Sequence, residues 1–206
     1  MGKFRITETK LKDVRIIEPV VFDDHRGFFT ESYSEADFKV AGIDIRFVQD
    51  NHSLSAKPGV LRGLHFQKGK SAQTKLMHVV TGVVFDVIVD IRKGSPTYGK
   101  WEGYILSEYN QRQLLVPKGY AHGFVTLTPN VNFLYKCDNY YNASADGGIY
   151  FNSPELDIQW PISLTKAIVS EKDVNLPTFS EFESVNPFVY DCSESHSKIG
   201  IEKLVS

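Results

Sequence analysis

The stretch from Lys75 to Arg92, KLMHVVTGVVFDVIVDIR, constrains the fold more than any other part of the chain. It is two β-branched segments joined at Thr81-Gly82. In the second, Val83, Phe85, Val87 and Val89 alternate with Val84, Asp86, Ile88 and Asp90. A period of two is the mark of a pleated strand, whose successive side chains point to opposite faces. Similar segments recur at 14–22 (VRIIEPVVF), 113–117 (QLLVP), 122–128 (HGFVTLT) and 132–141 (NFLYKCDNYY). Turn signals punctuate the chain at 57–59 (KPG), 93–99 (KGSPTYG), 117–119 (PKG) and 128–130 (TPN). Many short strands at this spacing predict a sandwich or barrel. Helical signals are few. SEADFKVAG (34–42) offers Ser34 as an N-cap and Gly42 as a stop, and a second helix is expected to start near Ser163 or Ser170. After VNLPTF (174–179) the pattern weakens. Residues 1–184 are read as one domain and 185–206 as a C-terminal extension.

The 206 residues, 42% of them hydrophobic, suffice for one good core. A net charge of −2 argues against nucleic acid or an anionic membrane surface as a partner. Cys137 and Cys192, the only cysteines, give no disulfide framework and no CxxC metal spacing, which fits a reducing compartment. The start, MGKFRITETKLKDVRII, lacks an apolar signal region and a cleavage site. Ile6 stands where myristoylation wants Ser or Thr. No apolar run is long enough to span a bilayer. The expectation is a cytoplasmic protein in which the sequons at 51–53 and 142–144 are accidental.

The strand GVLRGLHFQ (59–67) carries polar groups among apolar ones. Strict alternation puts Leu61, Gly63, His65 and Gln67 on one face, with Arg62, Leu64 and Phe66 on the other. Six histidines in a β-rich chain first suggest a metal. Cupin barrels carry two ligand motifs, and the second, Pro-x-Gly-x-x-His, is present as Pro117 to His122. The first is half present: Gly59 and His65 have its spacing, but Gln67 replaces the second histidine and no glutamate lies at the ligand distance. Two imidazoles beside the ammonium of Lys75 make a poor divalent-metal site, so no metal is expected.

The strings DHRGFFTESY (24–33), FVQDNHSLSAKPGVLRGLHFQ (47–67), QTKLMHVVTGVVFDVIVDIRKGSPTYG (73–99), LLVPKGYAHGF (114–124), YKCDNYY (135–141) and SEKD (170–173) resemble the dTDP-4-dehydrorhamnose 3,5-epimerase family. They fall in the family's order, and the resemblance takes in residues 14–178, most of the chain. The resemblance implies an all-β cupin, a β-sandwich or jelly-roll barrel with a few short helices, acting as a homodimer without a cofactor. It implies an isomerase that inverts C3, C5 or both in a nucleotide-linked 4-keto-6-deoxy sugar, for lipopolysaccharide or capsule. In that reading His65 is the base, Asp173 orients it, Lys75 stabilises the O4 oxyanion, and Tyr135 donates the proton on the opposite face. Arg26 and Arg62, with Lys172, would hold the diphosphate. Phe29 and Tyr141 would stack on the base, and Glu31, Gln49, Asn51 and His122 would make polar contacts.

The family often reads Glu-x-Gly-Ile-x-Trp-x-Asp-Pro where ADGGIYFNSP (145–154) stands, so Asp146 takes the glutamate's place as a substrate contact. The carrier, dTDP or GDP, and the sugar, hexose or heptose, stay open. So do a C3-only epimerase, a metal-dependent cupin and a non-catalytic nucleotide-sugar-binding cupin, although binding alone needs no acid and base. Singly, each residue has an ordinary reading: Phe29 as core, Tyr135 and Tyr141 as satisfied core aromatics, Asp173 as a helix cap. Asp86 and Asp90 are given no role.

Overall fold

In the computed structural model, which describes residues 3–191, the long apolar run does not form a flat hairpin. Its halves belong to different sheets. Gly82, at φ +85°, makes the crossing, and a Cβ there would come 2.7 Å from the Thr128 hydroxyl oxygen. Glycine is therefore required at that position by both backbone and space.

One sheet has the order β1 (Phe4–Glu8), β2 (Arg15–Pro19), β10 (Gln113–Val116), β7 (Lys75–Thr81), β12 (Val131–Cys137), β5 (Gln49–Ser55). The other has the order β13 (Asp146–Gly148), β6 (Val60–Gln67), β11 (Tyr120–Thr126), β8 (Val83–Asp90), β9 (Trp101–Ser107). The two-residue β14 (Ile168–Val169) pairs parallel with β6, and β3 (Val21–Asp24) and β4 (Gly27–Thr30) form a separate hairpin. The expected β-sandwich, related to the cupins, is what forms. The segment 14–22 divides into β2 and the start of that hairpin.

Three apolar clusters hold these layers. Met77, Val79, Ile88, Phe124 and Phe133 fill the space between the sheets. Leu64, Phe66, Val87, Val89 and Phe151 pack on the outer face of the second sheet, under the chain from Ile149 onward. Ile17, Leu76 and Leu115 pack with Phe38, the buried residue of helix α1 (Glu35–Val40). β8 is therefore covered on both faces, which is why Val83 to Val89 reads as nearly continuous apolar residues.

Ser34 caps α1, its hydroxyl accepting from the Asp37 N–H at 3.3 Å, and Gly42 follows at φ +80° as the stop signal requires. Ser170 caps α2 (Glu171–Val174), whereas Ser163 precedes only one 3-10 turn. Helix α3 (Phe179–Val185) begins with a capping box from Thr178 and Glu181, a helix that the weakening pattern after 179 did not suggest. The chain then stays on the body. Asn186 donates to the Ile91 carbonyl at 2.7 Å, Val189 bridges Lys93, and the Phe188 ring meets Phe66 edge-on at 5.5 Å. The rest of the extension, 192–206, lies outside the described residues, as do Cys192, Met1 and Gly2. Among the described residues no helix is long and apolar enough to cross a membrane.

Candidate active site

The site begins with an irregularity in β6. Its ladder with β11 pairs His65 with His122 and Arg62 with Phe124, so three steps on β6 match two on β11. That bulge inserts one residue and reverses the parity of the faces. Strict alternation was expected to separate Arg62 from His65; instead both line one cavity of about 480 Å³. Gly63, at φ +132°, sits at the slip, where a Cβ would lie 2.5 Å from the Gly123 Cα. The close approach of β6 and β11 depends on that missing side chain.

Gly63 also anchors α2. Its N–H donates to Asp173 Oδ2 at 3.2 Å, and His65 Nε2 lies 2.7 Å from Asp173 Oδ1. Ser170 Oγ accepts from the Asp173 N–H at 3.1 Å, fixing the turn that delivers the carboxylate. Asp173 is 3% exposed. Burial pushes its carboxyl up, but hydrogen bonds from His65, Gly63 and Ser170 outweigh this and hold it below the usual carboxylate range. The carboxylate thus takes the Nε2–H of His65 and leaves Nδ1 as the ring's free base.

The other sheet supplies the facing wall. Lys75 of β7 and Tyr135 of β12 line the same cavity, with the Lys75 ammonium 5.6 Å from the centre of the Tyr135 ring. Burial lowers the Lys75 pKa and raises that of Tyr135, so Tyr135 holds its proton firmly. His65 and Tyr135 therefore belong to opposite sheets and look into one chamber. Burial also pushes the Cys137 thiol up to about 11, which keeps it from acting as a thiolate.

Of the other expected residues, His122 and Lys172 line the cavity too. Lys172 pairs with Asp146, which also accepts from Gln67 Nε2 at 3.0 Å. Gln49 joins Asn51 at 3.1 Å and accepts from the Tyr141 N–H at 2.9 Å, and Asn51 stands opposite Tyr135 across the β5–β12 ladder. Lys172, Asp146 and Gln67 thus form one polar group, and Gln49, Asn51 and Tyr141 a second. Arg26, Phe29 and Glu31 are not brought to it within one chain. Arg26 pairs with Asp24 on the β3–β4 hairpin, Phe29 is 65% exposed there, and Glu31 pairs with Lys3 at 2.7 Å.

Asp86 is the residue that sequence reasoning passed over. It is fully buried, and its Oδ2 lies 2.8 Å from His122 Nε2. A lone carboxylate inside VVFDVIVD was the available signal. Both cavity histidines are thus committed to carboxylates, and among the described residues no group of three or more His, Cys, Asp or Glu could hold a metal ion. A second cleft of similar size, near Lys118 and Tyr190, has its Arg92 bound to Asp90 at 2.7 Å and its Lys118 to Asp138 at 3.0 Å.

Comparison with known proteins places this arrangement. The family described as dTDP-4-dehydrorhamnose 3,5-epimerase matches residues 8–181. The dTDP-4-dehydrorhamnose 3,5-epimerase of Salmonella typhimurium is 51% identical over 177 residues, which is 85% of this chain and 96% of that protein. The crystal structure of the Bacillus anthracis enzyme of that name, with TDP and PPi bound, is 52% identical with a TM-score of 0.82, covering 85% of this chain and 99% of that one. The Legionella pneumophila enzyme in complex with dTDP-4-keto-L-rhamnose is 43% identical with a TM-score of 0.86, covering 91% and 99%.

Proposed function

The chain belongs to the dTDP-4-dehydrorhamnose 3,5-epimerase family, and from that premise we propose how its own residues carry out the epimerisation. It is an isomerase acting on a nucleotide-linked 4-keto-6-deoxy sugar. The observation that carries the reading is the pair formed by the His65–Asp173 dyad on one sheet and Tyr135 on the other, both lining one cavity.

In such a sugar the C–H bonds at C3 and C5 are acidic because the C4 ketone can accept the electron pair as an enolate. His65 takes the proton at Nδ1, and Asp173 stabilises the imidazolium that results. Charge builds on O4, where the Lys75 ammonium is the fixed counter-charge; one such group is worth roughly 10²–10³-fold in rate. Tyr135 returns a proton from the other side of the ring, and the centre is inverted.

The carrier we assign is dTDP, supported by the ligands of the relatives. Arg62 and Lys172 meet the diphosphate, Tyr141 offers its ring to the base beside Gln49, Asn51 and Asp146, and His122 faces the sugar among His65, Lys75 and Tyr135. Arg26, Phe29 and Glu31 complete the site from a second copy of the chain. This is supported by the exposure of Phe22, Phe28 and Phe29, at 61%, 57% and 65%, on one projecting hairpin, an apolar patch of the kind that marks an interface. The protein works as a homodimer in the cytoplasm, in deoxysugar biosynthesis.

Incubation with the dTDP-linked 4-keto-6-deoxy-glucose in D₂O tests the reading by NMR. Deuterium enters at C3, C5 or both, and the position names the centre inverted. No deuterium at either carbon with an intact protein would refute it.

A further inference from the structure

The cavity holds a second histidine–carboxylate pair, built differently from the first. His122 stands directly opposite His65 on the β6–β11 ladder, and its Nε2 is turned to Asp86 Oδ2 at 2.8 Å. Asp86 belongs to β8, the next strand of the same sheet. Asp173 receives the Gly63 N–H as well as His65, whereas Asp86 Oδ1 is buried with no hydrogen-bond partner. A fully buried carboxylate with an empty oxygen is an expensive anion.

The proton count follows from this. When the Asp86–His122 pair is neutral, His122 carries a hydrogen on Nδ1, whether the shared proton sits on the carboxyl or on the imidazole. Only when the pair is anionic does Nδ1 lose it. Burial pushes the Asp86 carboxyl up, while His122 and the more distant Lys75 charge pull it down. Tyr104, opposite Asp86 on β9, gives its hydroxyl proton to Glu102 and so does not satisfy Asp86. The first pair favours a bare ring nitrogen and the second a protonated one. Two like pairs whose surroundings push their protons apart are the general pattern of an acid and a base sharing one site.

We propose that Asp86 is a positioning residue that keeps an N–H on His122 Nδ1, so that His122 donates a hydrogen bond to the substrate's C4 oxygen as it becomes an enolate oxygen. The proposal rests on the epimerase reading and adds a second electrophilic group beside Lys75. No bond is made or broken by Asp86, and the donated hydrogen stays on nitrogen.

The test compares Asp86→Leu with Asp86→Asn in the full chain, by kcat, KM and thermal unfolding. Asp86→Leu removes the partner of Nε2. It is expected to lower kcat about 100-fold with KM changed less than about threefold. Thermal stability should fall, because the buried His122 ring loses the partner of its Nε2, and kcat is compared well below the variant's unfolding temperature. Asp86→Asn can still donate to Nε2 and so keep the Nδ1 hydrogen; it is expected to recover kcat to within about tenfold of wild type. Where Asp86→Leu does not fold, Asp86→Ser, too short to reach Nε2, takes its place. The double variant with His122→Phe should be no slower than His122→Phe alone, because Asp86 acts only through that ring. Multiplying losses in the double variant, an unchanged kcat in Asp86→Leu, or an Asp86→Asn enzyme as slow as Asp86→Leu would each overturn the proposal. Wild-type exchange in D₂O separates the two readings: its absence refutes the epimerase mechanism, while its presence with indifferent Asp86 variants refutes this inference alone.

Discussion

His65 and His122 stand opposite each other on neighbouring strands, and each turns Nε2 onto a carboxylate, Asp173 at 2.7 Å and Asp86 at 2.8 Å. The likeness ends at the carboxylates. Asp173 also takes the Gly63 N–H at 3.2 Å, whereas one oxygen of Asp86 has no partner. One sheet thereby presents two imidazoles whose carboxylate partners are satisfied differently, with a phenol and an ammonium on the sheet opposite.

Asp173→Asn keeps the shape of the side chain and removes the charge that stabilises protonated His65. The kcat should fall by as much as about 10⁴-fold, the loss that follows when the orienting carboxylate of a triad is neutralised. Steady-state rates on the 4-keto sugar, with an unchanged circular dichroism spectrum, check this. A kcat within twofold of wild type would remove Asp173 from the mechanism.

Lys75→Met retains the length of the stem and deletes the ammonium. The expected result is a loss of roughly 10²–10³-fold in kcat, with KM little altered, since the charge matters most where O4 becomes an oxyanion. An effect confined to KM would instead assign Lys75 to ground-state binding.

If the hairpin serves the neighbouring site, two inactive variants should repair each other. In a mixed dimer of His65→Asn with Arg26→Ala, one site combines an intact His65 with the partner's intact Arg26. Co-refolding the two should restore activity approaching a quarter of wild type, because half the dimers are mixed and each has one whole site. Activity no higher than the average of the separate variants would place Arg26 in its own chain's site.

A buried ion pair outside the cavity supports the sandwich. Asp90, fully buried, meets Arg92 at 2.7 Å and also accepts from Ser95 and Thr97 at 2.6 and 2.7 Å. Asp90→Asn leaves the Arg92 charge without its partner and should cost about 3–5 kcal/mol at pH 7. Burial raises the Asp90 pKa, but the hydrogen bonds from Arg92, Ser95 and Thr97 outweigh it and leave it depressed. A depressed folded-state pKa means that the stabilisation is complete above the unfolded value of about 3.9 and is lost as pH falls through the folded one. Denaturant titrations of both proteins from pH 7 to pH 3 should therefore show the gap narrowing at the acid end. A gap that widens there would contradict the assignment.

The strands were legible because a period of two survives wherever one face is buried, and β8 was legible because both of its faces are. β9 was not, since WEGYILS places Gly103 where the Phe85 ring packs and so interrupts the apolar pattern. Helix α3 has few apolar residues to show its period, although Thr178 and Glu181 stand at capping-box spacing. The bulge that turns Arg62 and His65 to the same side is a property of how β6 meets β11, and alternation alone predicts the opposite. The roles of His65, Lys75, Tyr135 and Asp173 came from resemblance, not from spacing. Asp86 needed the strand register, which pairs β8 with β11 and brings its carboxylate to His122.

The claim under all of this is that hydrogen leaves one side of the sugar ring to His65 and returns on the other from Tyr135. The most direct measurement follows deuterium uptake and product stereochemistry together in Tyr135→Phe and His65→Asn. Tyr135→Phe should still wash deuterium into the substrate with its configuration retained, while inverted product is lost; His65→Asn should lose both. Inverted product from His65→Asn at a rate near wild type, or undiminished inversion in Tyr135→Phe, would contradict the account.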